Sequence, residues 1–446
     1  MTGSRKSQGC AKVTAMRWKK AYSVCAALMA LLVAVVCAPA AGAQTFNILH
    51  AFTGGADGAE PEGLTLGADG RLYGAASAGG NDGISARGYC YQGCGTIYEL
   101  SNARSGWHFA VLHRFTNSPD GAYPRASMTF GPDGSLYGTT GGGGGGTECT
   151  GGISCGGTIF ELSSSSAACV GACRASETVL YRFTGGSAGY GPGFDAPIVF
   201  DRGGNIYGTT ENGGYMEGEC AGVYGCGVVF ELMPKDSAWT ENVLYSFGDN
   251  AVGENPTAGV IFDPQGNLYG TTTASNVYQL VPSASGWTYN IILETPDTIT
   301  AGVIRDQGGN LFGGSSNGGS SEGGTVFEIS PQGSGWSNGA FYTFLNTSAD
   351  SYYPGPATTF LMDRSGNLYG TTVSDGIYGF GSVFELSPSA EVPGAYSYTD
   401  LHDFSGPDGQ NPVAPLVIDG NGNIFGTTEF GGPTGWGIVF EITPAM

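Results

Sequence analysis

The stretch Leu361–Pro388, LMDRSGNLYGTTVSDGIYGFGSVFELSP, decides the fold. It joins two signatures, Gly-Asn-Leu-Tyr-Gly-Thr-Thr and Gly-Ser-Val-Phe-Glu-Leu, through a glycine-rich loop. The first returns at Leu72-Tyr73-Gly74, Leu136-Tyr137-Gly138, Ile206-Tyr207-Gly208, Leu268-Tyr269-Gly270, Leu311-Phe312-Gly313, Leu368-Tyr369-Gly370 and Ile424-Phe425-Gly426. The second follows each time, centred on Glu99, Glu161, Glu231, Gln279, Glu328, Glu385 and Glu441. Self-similarity at this period belongs to propellers, solenoids and arrays.

Each unit reads as four short strands, here called a to d. In the fourth, a is Ala258–Phe262, b is Leu268–Thr272, c is Val277–Leu280 and d is Trp287–Leu293. Asp263-Pro264-Gln265-Gly266-Asn267 is the a–b turn, because Asp and Asn bond their own backbone and Gly accepts positive φ. β-branched and aromatic residues fill the runs, and no helical period appears after the N-terminus. A lone sheet of such strands leaves both faces wet, whereas seven sheets packed radially cover one another. The seventh unit stops after strand c at Ile442, and its missing strand d stands at the other end of the chain. Asn47-Ile48-Leu49-His50-Ala51-Phe52 matches Leu112–Phe115 and Leu401–Phe404. The expectation is an all-β, seven-bladed β-propeller of four-stranded blades whose N-terminal strand closes the last blade. The blades fall at residues 61–115, 124–183, 195–247, 256–294, 300–344, 355–404 and 412–442 plus 46–52, in a single domain over 44–446.

The pattern GNLYGTT…VFEL…W…LYxF resembles the GloVer tandem repeat of Gloeobacter and Verrucomicrobia, found in secreted bacterial choice-of-anchor proteins. The resemblance runs from Asn47 to Pro444 and implies secretion. It carries no catalytic residues with it. After Ile442 come only Thr-Pro-Ala-Met, without the apolar tail of a sorting signal, so release is expected rather than anchoring.

Residues 1–43 read as a signal peptide: Arg5, Lys6, Lys12, Arg17, Lys19 and Lys20 precede an apolar run, and Ala41-Gly42-Ala43 is a cleavage site. The leader takes six of the 17 basic residues and none of the 38 acids, so the charge falls from −21 to −27. Such a surface repels nucleic acid and anionic lipid and leaves room for a structural cation such as calcium, although no loop motif speaks for one. No cofactor signature occurs, and a monomer without membrane insertion is expected. Eight cysteines remain, in the close pairs Cys90/Cys94, Cys149/Cys155, Cys169/Cys173 and Cys220/Cys226, which in an exported chain read as disulfides.

Catalytic chemistry is hard to find. The strand-c Glu repeats in six of seven units, whereas an active site needs one asymmetric constellation. His50, His113 and His402 occupy equivalent outer-strand positions on separate blades and cannot share one metal. The recurring Asp57-Gly58, Asp120-Gly121 and Asp408-Gly409 read as turn chemistry. The six glycines Gly141–Gly146 lack the Gly-Lys-Ser/Thr of a phosphate loop. No non-repeated cluster of unlike ionisable residues is evident, so no catalytic and no metal residue is assigned. Strand direction puts the b–c and d–a loops on one face, and the b–c loops vary most between blades. Variable loops on a rigid scaffold are where binding concentrates. Those of this face carry Tyr89, Tyr91, Tyr190, Tyr215, Tyr224, Tyr353, Tyr378 and Trp436 among glycines and acids. The reading is therefore a secreted, non-catalytic binding or adhesion module for a glycan or surface protein. The contacts are expected on 77–93, 141–156 and 211–225. Its rivals are a propeller-type extracellular lyase or hydrolase and a purely structural envelope protein.

Overall fold

The computed structural model describes residues 44–80, 90, 92–145, 156–163, 175–192, 196–218, 220, 225–236, 238–248, 255–333, 335–345, 355–356, 358–392 and 394–444. The leader assigned to residues 1–43 lies outside them. Seven antiparallel four-stranded sheets follow one another around a ring that spans Phe46–Thr443. Their strands are ordered a-b-c-d from the channel outward. In the seventh sheet the order is Val417–Ile418, Ile424–Thr428, Ile438–Thr443 and then the N-terminal strand Thr45–Ala51. The Phe52 N–H donates to Gly437 O at 3.0 Å, the same bond that Phe115, Phe247 and Phe404 make to Gly95, Gly227 and Gly381. The closing strand thus takes the place of an ordinary strand d. Among the described residues no helix is long and apolar enough to cross a membrane.

The repeated Tyr-Gly or Phe-Gly of strand b has a steric cause. A Cβ on Gly208 would lie 2.7 Å from Phe230 Cζ, the strand-c ring directly opposite. Every blade repeats this pairing of a bare backbone with a ring, which lets strand-c aromatics such as Phe160, Phe384 and Phe440 bury completely. The cores then form between blades. Tyr207 and Val229 of blade three pack with Val260, Leu268 and Tyr278 of blade four. Burial of whole aromatic side chains at seven such seams is the main stabilising term.

Outside blade one, strand a is shorter than expected. In blade four the ladder to strand b runs over Ile261–Phe262 and is broken before an isolated bridge from Pro256 to Thr272. Ala258 turns its carbonyl to the preceding blade, where the Thr209 hydroxyl donates to it at 2.9 Å. The inner strand leaves its own ladder because the neighbouring blade satisfies it. Strand c, by contrast, runs longer than expected, over Asn276–Ser283, and strand d over Gly286–Glu294.

Candidate functional site

The face bearing the a–b turns is occupied by turn chemistry. Asp263 accepts from the N–H groups of Gln265 and Asn267, both at 2.9 Å, and from Asn267 Nδ2 at 2.7 Å. The same closure recurs at Asp201, Asp363 and Asp419. Near these turns sits the repeated strand-c Glu, opposite the strand-b aromatic, as in Tyr207↔Glu231. Its partners differ from blade to blade. Glu99 takes Arg71 at 3.2 Å, Glu231 takes the Tyr207 hydroxyl at 2.6 Å, and Glu385 takes the Ser387 hydroxyl at 2.6 Å. Half-buried and locally satisfied, this carboxylate is a structural acceptor.

The histidines and the Asp-Gly turns prove to be one device. His50 Nε2 lies 3.2 Å from Asp57, His113 3.2 Å from Asp120, and His402 3.1 Å from Asp408. Each Asp also accepts from the turn itself, as Asp120 does from the Thr116 N–H and hydroxyl. The pair therefore latches strand d to the turn that leads into the next blade. Burial lowers the His50 and His402 pKa values against the pull of Asp57 and Asp408.

The b–c/d–a face is different, because there the repeat is broken. Counting two residues back from the core residues Leu64, Met128, Ile198, Val260, Val303, Phe360 and Leu416 gives Glu62, Ala126, Ala196, Ala258, Ala301, Thr358 and Ala414. Six blades bury a small side chain there and blade one buries a carboxylate, 8% exposed. The position after the strand-b Thr-Thr pair behaves likewise. It is Glu211 in blade three and Glu429 in blade seven, and neutral elsewhere. Glu60, Glu62 and Glu429 converge so that one carboxylate oxygen from each lies within 4.8 Å of the others. Arg125 reaches in from blade two, its Nε 3.9 Å from Glu62. Its charge is felt by Glu60, Glu62, Glu211 and Glu429 alike. Burial pushes the Glu62 carboxyl up to about 7, with Arg125 and the Ser77 hydroxyl pulling the other way. Glu60, Glu211 and Glu429 are raised by burial too. Four carboxylates thus meet one guanidinium at the channel mouth. This non-repeated cluster of unlike ionisable groups is what the sequence reading did not find. Its signal was an acid where six blades keep Ala or Thr.

A second feature lies at the junction of blades five and six. Asp375–Gly379 of the blade-six b–c loop and Tyr398, Asp400 and Asp403 of its strand d line a cleft of about 600 Å³. Tyr378 is 56% exposed at the rim, next to Ile377. Tyr398 stacks on Tyr342 of blade five with ring centroids 5.5 Å apart. Partial desolvation, then the adjoining Asp403, raises Asp400 to about 6.

Of the other aromatic residues expected to bind, Tyr190 is buried in the seam between blades two and three, only 6% exposed. Trp436 is partly buried against the Phe52 core, over Gly54. Tyr215 is 39% exposed and donates to Glu217 at 3.3 Å. Tyr89, Tyr91, Tyr224 and Tyr353 lie outside the described residues, as do Cys149, Cys155, Cys169 and Cys173 and much of the loops 77–93, 141–156 and 211–225. Cys90–Cys94 and Cys220–Cys226 are disulfides, each buried just before a strand c.

A family model described as the Gloeobacter/Verrucomicrobia repeat matches residues 35–215, 91–288 and 273–446. No curated protein matches the chain. A solved structure assigned to a gluconolactonase is similar with a TM-score of 0.41 and 12% identity, over 91% of this chain and 93% of that one.

Proposed function

We propose that this chain, which belongs to the Gloeobacter/Verrucomicrobia repeat family, is an exported binding propeller that recognises a glycan through the cleft of blade six. The supporting observation is the pairing of the exposed Tyr378 ring with Asp375, Asp400 and Asp403 around one cleft. An aromatic face stacks on the apolar C–H face of a sugar, while carboxylates accept from its hydroxyls. The disulfides fit an oxidising compartment, and the apolar leader read from residues 1–43 fits export. A glycan-array screen followed by titration calorimetry tests the reading. Tyr378→Ala is expected to weaken the selected glycan about tenfold or more with the fold intact. Silence on the array, or binding indifferent to both Tyr378→Ala and Asp403→Asn, overturns it.

A second reading rests on the channel mouth. Glu62, held near half-protonation at neutral pH beside Glu60, is the kind of unlike pair from which a hydrolase or lyase draws its acid and base. Release of reducing or unsaturated ends from polysaccharides, lost in Glu62→Gln, would favour it over binding alone.

A further inference from the structure

The ring closes within blade seven, whose outer strand Thr45–Ala51 runs on into blade one, and three convergent carboxylates sit on the seam between these two blades. Glu429 directly follows strand b of blade seven, Ile424–Thr428, while Glu60 and Glu62 belong to the inner strand Ala59–Leu66 of blade one. That inner strand is built differently from its counterparts. The core residue Leu64 stands three positions after Pro61, whereas Met128, Val260 and Leu416 stand four positions after Pro124, Pro256 and Pro412. Its pairing register shifts between Pro61 and Gly63, leaving Glu62 as the bulged residue. Bulges of this kind re-aim a side chain.

The bulged strand leaves a second mark across the seam. In blades three, four and six the first Thr of the strand-b pair donates to the inner strand of the next blade: Thr209 to Ala258, Thr271 to Ala301 and Thr371 to Pro412, each at 2.9 Å. Thr427 is the counterpart in blade seven, and Ala258 and Ala301 correspond to Glu62 by the count from the core. Yet the Thr427 hydroxyl, on a residue only 1% exposed, has no partner. It stands two residues before Glu429, and its counterparts Thr209 and Thr271 face the position that Glu62 occupies in blade one. A buried hydroxyl without a partner is costly unless something else fills its place.

We propose that Glu60, Glu62, Glu429 and the Thr427 hydroxyl form a binding site for one calcium-class divalent cation across the seam between blades seven and one. A hard cation with oxygen ligands at about 2.3–2.6 Å spans carboxylate oxygens up to roughly 5 Å apart, as the 4.8 Å limit here requires. Carboxylate and hydroxyl donors select calcium or magnesium over softer metals, and a loose, partly open set of this kind suits calcium. Arg125 balances one carboxylate and leaves a surplus of negative charge for the ion. Burial and mutual repulsion, which raise Glu62, are relieved once an ion is bound. The ion would tie strand b of blade seven, near the C-terminal end of the chain, to the inner strand of blade one, near its N-terminal end.

Calcium titrated into metal-stripped protein by calorimetry, with sensitised terbium luminescence and thermal melting alongside, tests the site without any glycan. One ion per chain, with a dissociation constant of about 10⁻⁴–10⁻³ M or tighter and a melting temperature that rises with calcium and falls back with chelator, is the expected result. Glu62→Gln and Glu429→Gln should each weaken binding by about tenfold or more, while Asp403→Asn leaves it unchanged. Absence of saturable binding or of calcium-dependent melting in the wild-type protein overturns the proposal whatever the variants do. Binding that survives the Glu62→Gln/Glu429→Gln double variant overturns it too, by placing the ion in another acidic cluster. Glycan binding at blade six stands or falls separately, since it is read on Tyr378→Ala.

Discussion

Glu62→Gln should make the metal-free protein more stable, but only above acid pH. The Glu62 carboxyl is raised from 4.5 to about 7 by burial, so the folded chain holds its proton more tightly than the unfolded chain does. The stabilisation supplied by that proton is complete below pH 4.5 and is lost as pH rises to about 7. Above pH 7 the folded protein carries a charge that is badly solvated. A shift from 4.5 to about 7 corresponds to roughly 3 kcal/mol at about 1.36 kcal/mol per pKa unit. Gln keeps the shape and removes that penalty. With an unfolding entropy of about 2.1 cal/mol/K per residue, a ring of this size should melt roughly 4 °C higher as the variant than as wild type at pH 8. The two should coincide at pH 4. His50 and His402, whose lowered pKa values act in the opposite sense near pH 6, are common to both proteins and cancel in the difference. The assay is a pair of melting curves against pH in chelator. Destabilisation of the variant at pH 8 would refute the reasoning, because the approach of Arg125 to Glu62 at 3.9 Å would then outweigh the cost of burial. So would a gain that does not depend on pH. Saturating calcium should reverse the order at pH 8, since wild type alone keeps all three carboxylates.

Two further outcomes follow from the fold. Gly208→Ala places a methyl 2.7 Å from Phe230 Cζ in a closed core and should destabilise by about 1–3 kcal/mol, read by denaturant unfolding; a neutral result would mean that Phe230 has room to move. Deleting Thr45–Phe52 uncovers the edge of Ile438–Thr443 and removes the buried Phe52 ring, so the truncated protein should melt lower and aggregate, which light scattering would show.

The architecture was legible in the chain because a repeat exposes its own logic. Seven copies of Leu-Tyr-Gly and Val-Phe-Glu-Leu state the strand pair, the glycine that admits a ring and the turn that precedes it. The orphan strand at Asn47–Phe52 states the closure. Strand a was overextended in that reading because its carbonyls bond across a seam, as Ala258 does with Thr209, and period alone carries no sign of a partner in another blade. Functional features were legible in proportion to how local they are. The two described disulfides close short loops and could be read from spacing, and Tyr378 stood out as an aromatic in a glycine-rich loop. Tyr190 and Trp436 looked the same in sequence, but Tyr190 is buried in a seam and Trp436 is partly buried against another, because only packing between blades decides which ring faces water. The channel-mouth cluster belongs wholly to the tertiary structure. Glu62 and Glu429 are 367 residues apart, and Arg125 comes from a third blade; only ring closure brings blade seven beside blade one and turns scattered departures from the repeat into one site.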